Sequence, residues 1–249
     1  MSFSINFTNF CNICKEATSS VDVYKNFKRN PMYVDVLEHV SYDQAIEYAK
    51  IIKVENESLI EPSIFEEFKE NDKIGNPIVN DFGFLGLCSP TIFRYVKILS
   101  DLKIHFGNLS GMNIIEIGAG NAGQCNIISK YFDYKSYTIV DLEDVVGLQK
   151  RCVGDMNTPN VLFKNSTEDC SGDYDLVISN YAFSECPFDV KTKYINEILK
   201  RSSRGYITMN NEDKTGFKDV MVSSIENISI LEEKPKTAEH NYIIVWDQT

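Results

Sequence analysis

Apolar residues in the first part of the chain, up to about residue 110, recur mostly at helical spacing. One helix is predicted over 43–53, and another over 62–70, where Pro62 suits the first turn. The stretch 75–86 is rich in Gly, Asn and Pro and is typical of a loop. The pattern predicts a helical amino-terminal part.

A further helix is predicted after Ser89, which resembles an N-cap, with Pro90 at the first helical position. Its polar residues share one face: Arg94, Lys97, Asp101 and His105. We interpret this face as solvated. The alternative is that Arg94 points into a site between the two halves of the chain.

Beyond residue 110 the pattern changes to alternating strands and helices, which is typical of a parallel α/β sheet. Strands are predicted over 113–118, 137–141, 161–164, 174–179, 205–210, 228–233 and 242–247. Helices are predicted up to Ser129 and over 145–152, 191–201 and 218–224. The last two strands are close enough along the chain for an antiparallel hairpin. We therefore expect a helical cap over 1–110 and an α/β domain over 111–249.

Composition and charge narrow the class of protein. The chain has 249 residues, enough to bury a full core, and carries 25 Lys+Arg against 36 Asp+Glu, a net charge of −11. Such a surface repels phosphate backbones and anionic lipids, so we expect neither nucleic acid nor membrane partners. No apolar run is long enough to span a bilayer, and the first residues lack the features of a signal peptide. A cytoplasmic location is predicted, and the oligomeric state stays open.

The seven cysteines are odd in number and scattered, which favours reduced thiols. Cys11 and Cys14 form a C-x-x-C pair, but no second pair or histidine follows at the short spacing that a structural zinc requires. We interpret the pair as structurally ordinary.

A glycine-rich segment follows the first predicted strand of the α/β part. Gly118, Gly120 and Gly123 match the G-x-G-x-x-G pattern, which lets the backbone turn sharply and approach a ligand. Asp141 ends the next strand, where an acid accepts hydrogen bonds from a ribose diol. The combination predicts a nucleoside cofactor.

Glu116 indicates which nucleoside cofactor the chain binds. A carboxylate two residues before the first glycine suits a cationic amino-acid group, as in S-adenosylmethionine, whereas a pyrophosphate gains nothing from an anion there. The chain also lacks the second half-sheet of a full dinucleotide domain. The pattern is similar to that of a Rossmann-like methyltransferase, with a seven-stranded sheet that is parallel except for an antiparallel last strand.

Several segments narrow the resemblance. They are Leu37–Ser41, Leu87–Thr91 with Arg94 and Tyr95, Glu116–Cys125 (EIGAGNAGQC), Val140–Leu142 with Leu148 and Gln149, Ile178–Glu185 (ISNYAFSE) and Arg204–Asn210 (RGYITMN). Across roughly residues 37–210 the chain resembles the bacterial sugar O-methyltransferase family, found with surface-polysaccharide genes. The glycine loop is widely shared among enzymes, whereas SNYAFSE and CSPT are more specific.

The resemblance implies roles for residues that hold S-adenosylmethionine. Gly118, Gly120 and Asn121 would lie under its methionine part, with Glu116 at the amino group and Gln124 in the same region. Asp141 would bind the ribose, Leu142 would pack on adenine, and Asn165 and Ser166 would bind the adenine edge. For Asn165, a plain turn residue is an equal alternative.

Asn180, Tyr181, Ala182 and Phe183 have the polar-x-x-aromatic form of the N-P-P-Y element of amino-directed methyltransferases, without its prolines. We therefore expect Asn180 and Tyr181 beside the transferred methyl group. Methyl transfer to a hydroxyl needs a positioned base. The candidate bases, in order, are Glu185, His240 and His39. The candidate acceptor-binding residues are Arg94, Tyr95 and Ser184. No metal is expected, because no clustered carboxylate pair is present to hold one.

The sequence thus predicts an S-adenosylmethionine-dependent O-methyltransferase that acts on a sugar or small precursor of a bacterial surface polysaccharide, such as a capsule or O-antigen. Alternatives are methylation of a non-sugar capsule substituent of the phosphoramidate type, or N-methylation. An NAD(P)-dependent oxidoreductase and a non-catalytic binding module are further alternatives.

Overall fold

The computed structural model describes residues 5–210 and 217–249. The α-helices are α1 Ile5–Ser19, α2 Val21–Asn26, α3 Pro31–Val34, α4 Tyr42–Asn56, α5 Pro62–Phe68, α6 Pro90–Phe106, α7 Gly123–Tyr131, α8 Glu143–Asp155, α9 Ala182–Glu185, α10 Phe188–Glu197 and α11 Phe217–Ser224. The strands are β1 Asn80–Asp81, β2 Leu87–Cys88, β3 Asn113–Ile117, β4 Ser136–Asp141, β5 Val161–Asn165, β6 Tyr174–Asn180, β7 Ser202–Met209, β8 Ser229–Glu232 and β9 Tyr242–Asp247. Short 3-10 helices cover Phe27–Arg29, Glu57–Ile60, Lys69–Lys73, Gly83–Leu85 and Leu199–Arg201.

The described residues form two compact units. The helical unit consists of the residues up to His105 together with Gly120–Tyr131 and Glu143–Pro159. The sheet unit consists of Phe106–Ala119, Phe132–Leu142 and the residues from Asn160 onward. The chain therefore passes from the sheet unit into the helical unit within the glycine-rich segment.

The helical unit contains three amino-terminal helices, α1, α2 and α3, that the hydrophobic pattern did not predict. Ser20 and Asn30 cap α2 and α3 with their side chains, and Ser41 forms a capping box with Gln44 at the start of α4. Helix α1 packs on α8 at Gly147, where a Cβ would lie 2.8 Å from Thr18 Oγ1. A glycine at this point allows the two helices to approach closely.

The polar face of helix α6 was predicted to be solvated, and most of it is buried. The helix begins at Pro90 as predicted, but Arg94, Lys97 and Asp101 are all less than 10% exposed. Lys97 pairs with Asp101 and, at 3.3 Å, with Glu55. The interpretation of this face as solvated was wrong for these three residues, whereas His105 is exposed. Charge alone does not place a residue in solvent when oppositely charged partners are buried with it.

The sheet unit is built on a seven-stranded sheet in the order β5-β4-β3-β6-β7-β9-β8. The first five strands in that order are parallel neighbours, and β9 runs antiparallel to both β7 and β8. The predicted hairpin of the last two strands is confirmed. The predicted Rossmann-like α/β fold, with seven strands and an antiparallel last strand, is likewise confirmed.

The core of the sheet unit forms between the sheet and its helices. Val177, Ile207 and Ile244 come from three neighbouring strands and pack with Phe183 of α9 and other buried residues. Because parallel strands end at one edge, residues that follow them collect there. We call this the carboxyl edge of the sheet: the ends of β3–β7, with the start of β9 and the end of β8.

The predicted loop over 75–86 contains β1 and a 3-10 turn, and β1 pairs with β2. Among the residues that the structure describes, no helix combines the length and apolarity needed to cross a membrane.

Candidate functional site

Gly118 makes the turn at the carboxyl end of β3. Its φ is +75°, a left-handed value, and its N–H donates to the Val140 carbonyl at 2.9 Å. A Cβ at this position would lie 2.1 Å from the Cβ of Ala182 in α9. Both the backbone angle and the available space therefore require glycine here.

The segment continues into the helical unit, where Gly120 and Gly123 are also closely surrounded. A Cβ on Gly120 would lie 2.8 Å from Leu37 Cδ1, and one on Gly123 would lie 2.6 Å from Tyr95 Cε2. Leu37 and Tyr95, which are distant in sequence, therefore pack against the glycine segment.

Asn121 and Gln124 are buried within the helical unit. Asn121 Nδ2 donates to Asn71 Oδ1 at 3.3 Å, and the Tyr95 hydroxyl donates to Asn121 Oδ1 at 3.4 Å. Gln124 Nε2 donates to the Tyr95 carbonyl at 3.2 Å, while Gln124 Oε1 has no partner among the described residues. An orphaned buried acceptor of this kind fits an amino or hydroxyl donor of a ligand.

Glu116 is buried in β3, and its carboxyl group accepts a hydrogen bond from the Tyr137 hydroxyl at 2.8 Å. Burial, helped by the charge of Asp141, raises the pKa of Glu116 to about 8. The site thus holds a carboxyl group that is poorly solvated and that a nearby cation would stabilise in its ionised form.

Asp141 and Asn165 are neighbours in register at the carboxyl ends of β4 and β5. Asp141 Oδ1 accepts from the Leu142 N–H at 2.8 Å, and the Asp141 carbonyl accepts from the Ser166 N–H at 2.8 Å. Asp141, Leu142, Asn165 and Ser166 are thereby brought together at the carboxyl edge, as parallel strand ends require.

Asn165 makes the contacts of a turn residue. Its Oδ1 accepts from the Thr167 N–H and its Nδ2 donates to Glu168 Oε1, both at 2.9 Å. These hydrogen bonds are those expected if Asn165 is a plain turn residue, the alternative considered for it. Its role toward adenine, like that of Ser166, stays a prediction.

Tyr181, the residue directly after β6, has a strained backbone conformation. Tyr181 has φ 66° and ψ −35°, a conformation that is unusual for a large side chain. Its carbonyl accepts from the Ser184 N–H at 2.8 Å, and its own N–H donates to the Thr208 carbonyl at 3.0 Å. The sharp turn places Asn180 and Tyr181 at the carboxyl edge, where strain is often stored at functional sites.

Ser184 and Glu185 are tied to the end of β7 through Asn210. Ser184 Oγ donates to Asn210 Oδ1 at 2.8 Å, and Asn210 Nδ2 donates to Glu185 Oε1 at 2.9 Å. Ser184 is buried and Glu185 is exposed. Of the two, Glu185 has the solvent access that a base needs.

The two candidate histidines lie in different units. His240, in the sheet unit, precedes β9 with an exposed side chain, and its Nε2 is 3.8 Å from a Glu239 carboxylate oxygen. His39, in the helical unit, also has an exposed side chain, and its Nε2 lies 3.5 Å from Arg94 Nη1. Partial desolvation of the imidazole, followed by the Arg94 charge, lowers the pKa of His39 to about 4, so it is neutral near pH 7.

Arg94 also donates through Nη2 to the Leu37 carbonyl at 2.9 Å. Its side chain therefore binds the segment that contains both Leu37 and His39. The roles predicted for Arg94, Tyr95 and Ser184 toward an acceptor stay predictions.

Three residues at the carboxyl edge were not predicted from the sequence: Glu233, Thr237 and Asn241. The Tyr181 hydroxyl donates to Glu233, which is 6% exposed, and lies 3.1 Å from Thr237 Oγ1. No motif marks these residues. The available signal was the predicted hairpin itself, because the connection between β8 and β9 must lie at the carboxyl edge.

No cluster of three or more His, Cys, Asp or Glu side chains able to hold a metal ion occurs within residues 5–210 and 217–249.

The chain matches no protein-family model and no curated protein. Solved structures with a similar fold include a methyltransferase from Pyrococcus furiosus, with 16% identity and a TM-score of 0.47 over 63% of this chain and 84% of that one. The methyltransferase domain of bacterial CtHen1 has 14% identity and a TM-score of 0.48 over 62% and 97% of the two chains. An rRNA methylase from Streptococcus thermophilus has 13% identity and a TM-score of 0.44 over 56% and 88%. At these identities the similarity is one of fold.

Proposed function

We propose that the protein is an S-adenosylmethionine-dependent methyltransferase. The observation that carries the proposal is the turn at Gly118, which follows a strand with a buried Glu116 and lies beside a strand that ends in Asp141. This arrangement supports a small nucleoside with a cationic amino-acid group. The proposed activity, methyl transfer, is the one stated in the names of the solved structures above.

The strand order supports a methyltransferase over a dinucleotide-dependent oxidoreductase. In chain order, the seven strands of the large sheet are arranged 3-2-1-4-5-7-6. A dinucleotide domain has the order 3-2-1-4-5-6, with its second nucleotide half built from parallel strands. Here the antiparallel β9 is inserted beside β7, so the second half is not of that type.

The residues present fit the cofactor on two structural grounds. Glu116 is a buried carboxyl group two residues before the Gly118 turn, and Asn180 has a buried Oδ1 with no partner among the described residues. When bound, S-adenosylmethionine would supply a methyl group on a sulfonium sulfur, from which neutral S-adenosylhomocysteine is a good leaving group. Glu116 would stabilise its ammonium group, and Asp141 would accept hydrogen bonds from its ribose.

We further propose that the methyl group goes to a hydroxyl of a sugar or small surface-polysaccharide precursor. The chain must then hold the acceptor oxygen in line and take its proton. Glu185 is the first candidate for the base, because it is exposed at the carboxyl edge and fixed there by Asn210. The net charge of −11 supports a small molecule over nucleic acid as the acceptor.

The proposal is tested by calorimetric titration of the purified protein with S-adenosylhomocysteine and, separately, with NADH. We expect saturable binding of S-adenosylhomocysteine and none of NADH. If the folded protein fails to bind S-adenosylhomocysteine, the proposed function is wrong. A transfer assay with tritium-labelled methyl donor and a panel of activated sugars then identifies the acceptor.

A further inference from the structure

The segment between β8 and β9 carries a chain of hydrogen bonds that ends at Asn241, whose amide oxygen has no partner in the part of the chain that the structure describes. Glu233 accepts from the Tyr181 hydroxyl, from the Thr237 N–H at 3.0 Å and from Thr237 Oγ1 at 2.7 Å. Asn241 Nδ2 donates to Thr237 Oγ1 at 2.8 Å. All four residues belong to the sheet unit.

The direction of these bonds fixes the orientation of the Asn241 amide. A threonine hydroxyl has one hydrogen, and Thr237 gives it to the Glu233 carboxylate. Toward Asn241 the same oxygen can only accept, so the amide nitrogen must face Thr237. The amide oxygen of Asn241 is consequently turned away from the network.

That oxygen is buried and has no partner within residues 5–210 and 217–249. Asn241 is 7% exposed, and its Oδ1 accepts no hydrogen bond among the residues that the structure describes. Leaving a buried polar atom unpaired is unfavourable, so an acceptor held in this way is expected to have a partner, and a donor group of a ligand can supply it.

A second orphaned acceptor lies on the same edge. Asn180 ends β6 and is paired in register with Thr208, which is paired with Ile243 of β9. Asn241 lies two residues before Ile243, so the sheet register brings Asn180 and Asn241 to one edge, two strands apart. Asn180 Oδ1 also has no partner among the described residues.

We propose that Asn241 Oδ1 is a binding group for the methyl acceptor and accepts a hydrogen bond from one of its hydroxyl or amino groups, while Glu233 and Thr237 act as positioning residues. Asn180, on the same edge, is assigned above to the cofactor, so Asn241 lies on the edge where a methyl acceptor would meet the cofactor, and its oriented Oδ1 suits a hydroxyl or amino donor such as a sugar offers. This inference rests on the proposed function and adds residues to its acceptor side.

The test measures ligand binding by saturation-transfer NMR on protein saturated with S-adenosylhomocysteine. The probes are UDP-glucose and GDP-mannose, which offer hydroxyl groups, and glucosamine 6-phosphate, which offers an amino group. We expect at least one probe to bind the unaltered protein, and the responding probe identifies the donor.

Asn241→Ala and Asn241→Leu are each expected to weaken binding of that probe by roughly tenfold or more, the effect of losing a well-placed hydrogen bond. Thr237→Val removes the acceptor that orients the amide and is expected to weaken probe binding less than either Asn241 variant. Asn196→Ala, an exposed position in α10, is the matched control and should leave probe binding unchanged.

Calorimetry with S-adenosylhomocysteine on the same samples separates the possible failures. Unchanged cofactor affinity in the Asn241 variants shows that they are folded. If cofactor binding is intact but no probe binds in a way that depends on Asn241, the inference is wrong and the proposed function stands. If the unaltered protein does not bind S-adenosylhomocysteine, the proposed function itself is wrong.

Discussion

Gly118 and Ala182 lie so close that a methyl group on Gly118 would be 2.1 Å from the Ala182 Cβ. The glycine turn after β3 is therefore packed directly against the first residue of α9. This contact couples the two loops that the sequence assigned to the cofactor and to the methyl group.

Gly118→Ala is accordingly expected to destabilise the protein by about 2–4 kcal/mol, since it adds a clash to the cost of a left-handed alanine. Gly111 is the matched control, because its φ is +80° but a Cβ there would meet nothing within 4 Å. Gly111→Ala should cost only about 1 kcal/mol. Urea unfolding of both variants measures the difference.

A double variant tests the contact itself. Adding Ala182→Gly to Gly118→Ala removes the 2.1 Å clash and should recover part of the lost stability. Equal losses in Gly118→Ala and Gly111→Ala, with no recovery in the double variant, would show that the contact is unimportant.

Glu116 predicts a pH dependence of stability. Its pKa is about 8 in the folded protein, against an ordinary value of 4.5. Between these values the unfolded chain releases a proton that the folded protein keeps, so this group lowers the free energy of unfolding as the pH rises. The contribution is fully present at low pH and is lost as the pH rises through the folded pKa.

Glu116→Gln removes this titration and keeps an amide oxygen to accept from the Tyr137 hydroxyl. The stability of the variant relative to the unaltered protein should therefore rise between about pH 5 and about pH 8, by up to about 4 kcal/mol. Denaturant unfolding across this range measures it, with the exposed Glu226→Gln as the control. Parallel curves for Glu116→Gln and the unaltered protein would contradict the assignment.

The large sheet was predictable because most of its strands contain a short apolar run bounded by glycine or polar residues. Helix α1 was not, although its buried residues Phe10, Cys14 and Ala17 lie on one face. Its sequence is rich in Asn, Thr and Cys, which are weak helix formers, and its packing partner α8 follows more than 120 residues later. Long-range packing stabilises this helix, and a local pattern does not contain that information.

Long-range contacts also explain why the sequence did not predict the partners of Arg94 and Tyr181. Arg94 was predicted to be solvated because it shares a helix face with other polar residues, yet its partner is the Leu37 carbonyl, 57 residues away. Tyr181 was assigned to the methyl site, but its partner Glu233 is 52 residues away in a segment without a motif. Motifs predict residues that follow strands, and they do not predict the side chains that orient them.

Asp141→Ala should weaken binding of S-adenosylhomocysteine by roughly 1.5–3 kcal/mol, the range for hydrogen bonds to a charged group. Asp141 ends β4 with one carboxylate oxygen bound to the Leu142 N–H, a geometry that fixes the group at the carboxyl edge. Calorimetry measures the affinity, with the exposed Asp189→Ala as the control. An unchanged dissociation constant would remove Asp141 from the site.

Glu185→Gln should lower the rate of methyl transfer by roughly a hundredfold or more while leaving cofactor affinity unchanged, as expected for loss of a general base. The substitution keeps an oxygen that accepts from Asn210 Nδ2, so the loop structure is maintained. Transfer of labelled methyl to the acceptor found in the sugar panel measures the rate. His240→Gln, at the second candidate base, is compared directly, and the larger loss identifies the base.

The cross-strand pair of Gly205 and Trp246 predicts a purely structural effect. A Cβ on Gly205 would lie 2.1 Å from Trp246 Cη2, because the indole ring covers the glycine and its Nε1 donates to the Ser202 carbonyl at 3.1 Å. Gly205→Ala must displace a buried ring and should cost about 1–3 kcal/mol of stability, as overpacking does. Urea unfolding followed by the fluorescence of Trp246, the only tryptophan, measures the loss. Gly154→Ala, where a Cβ meets nothing within 4 Å, is the control and should not destabilise. A Gly205→Ala variant as stable as this control would show that the ring can move without cost.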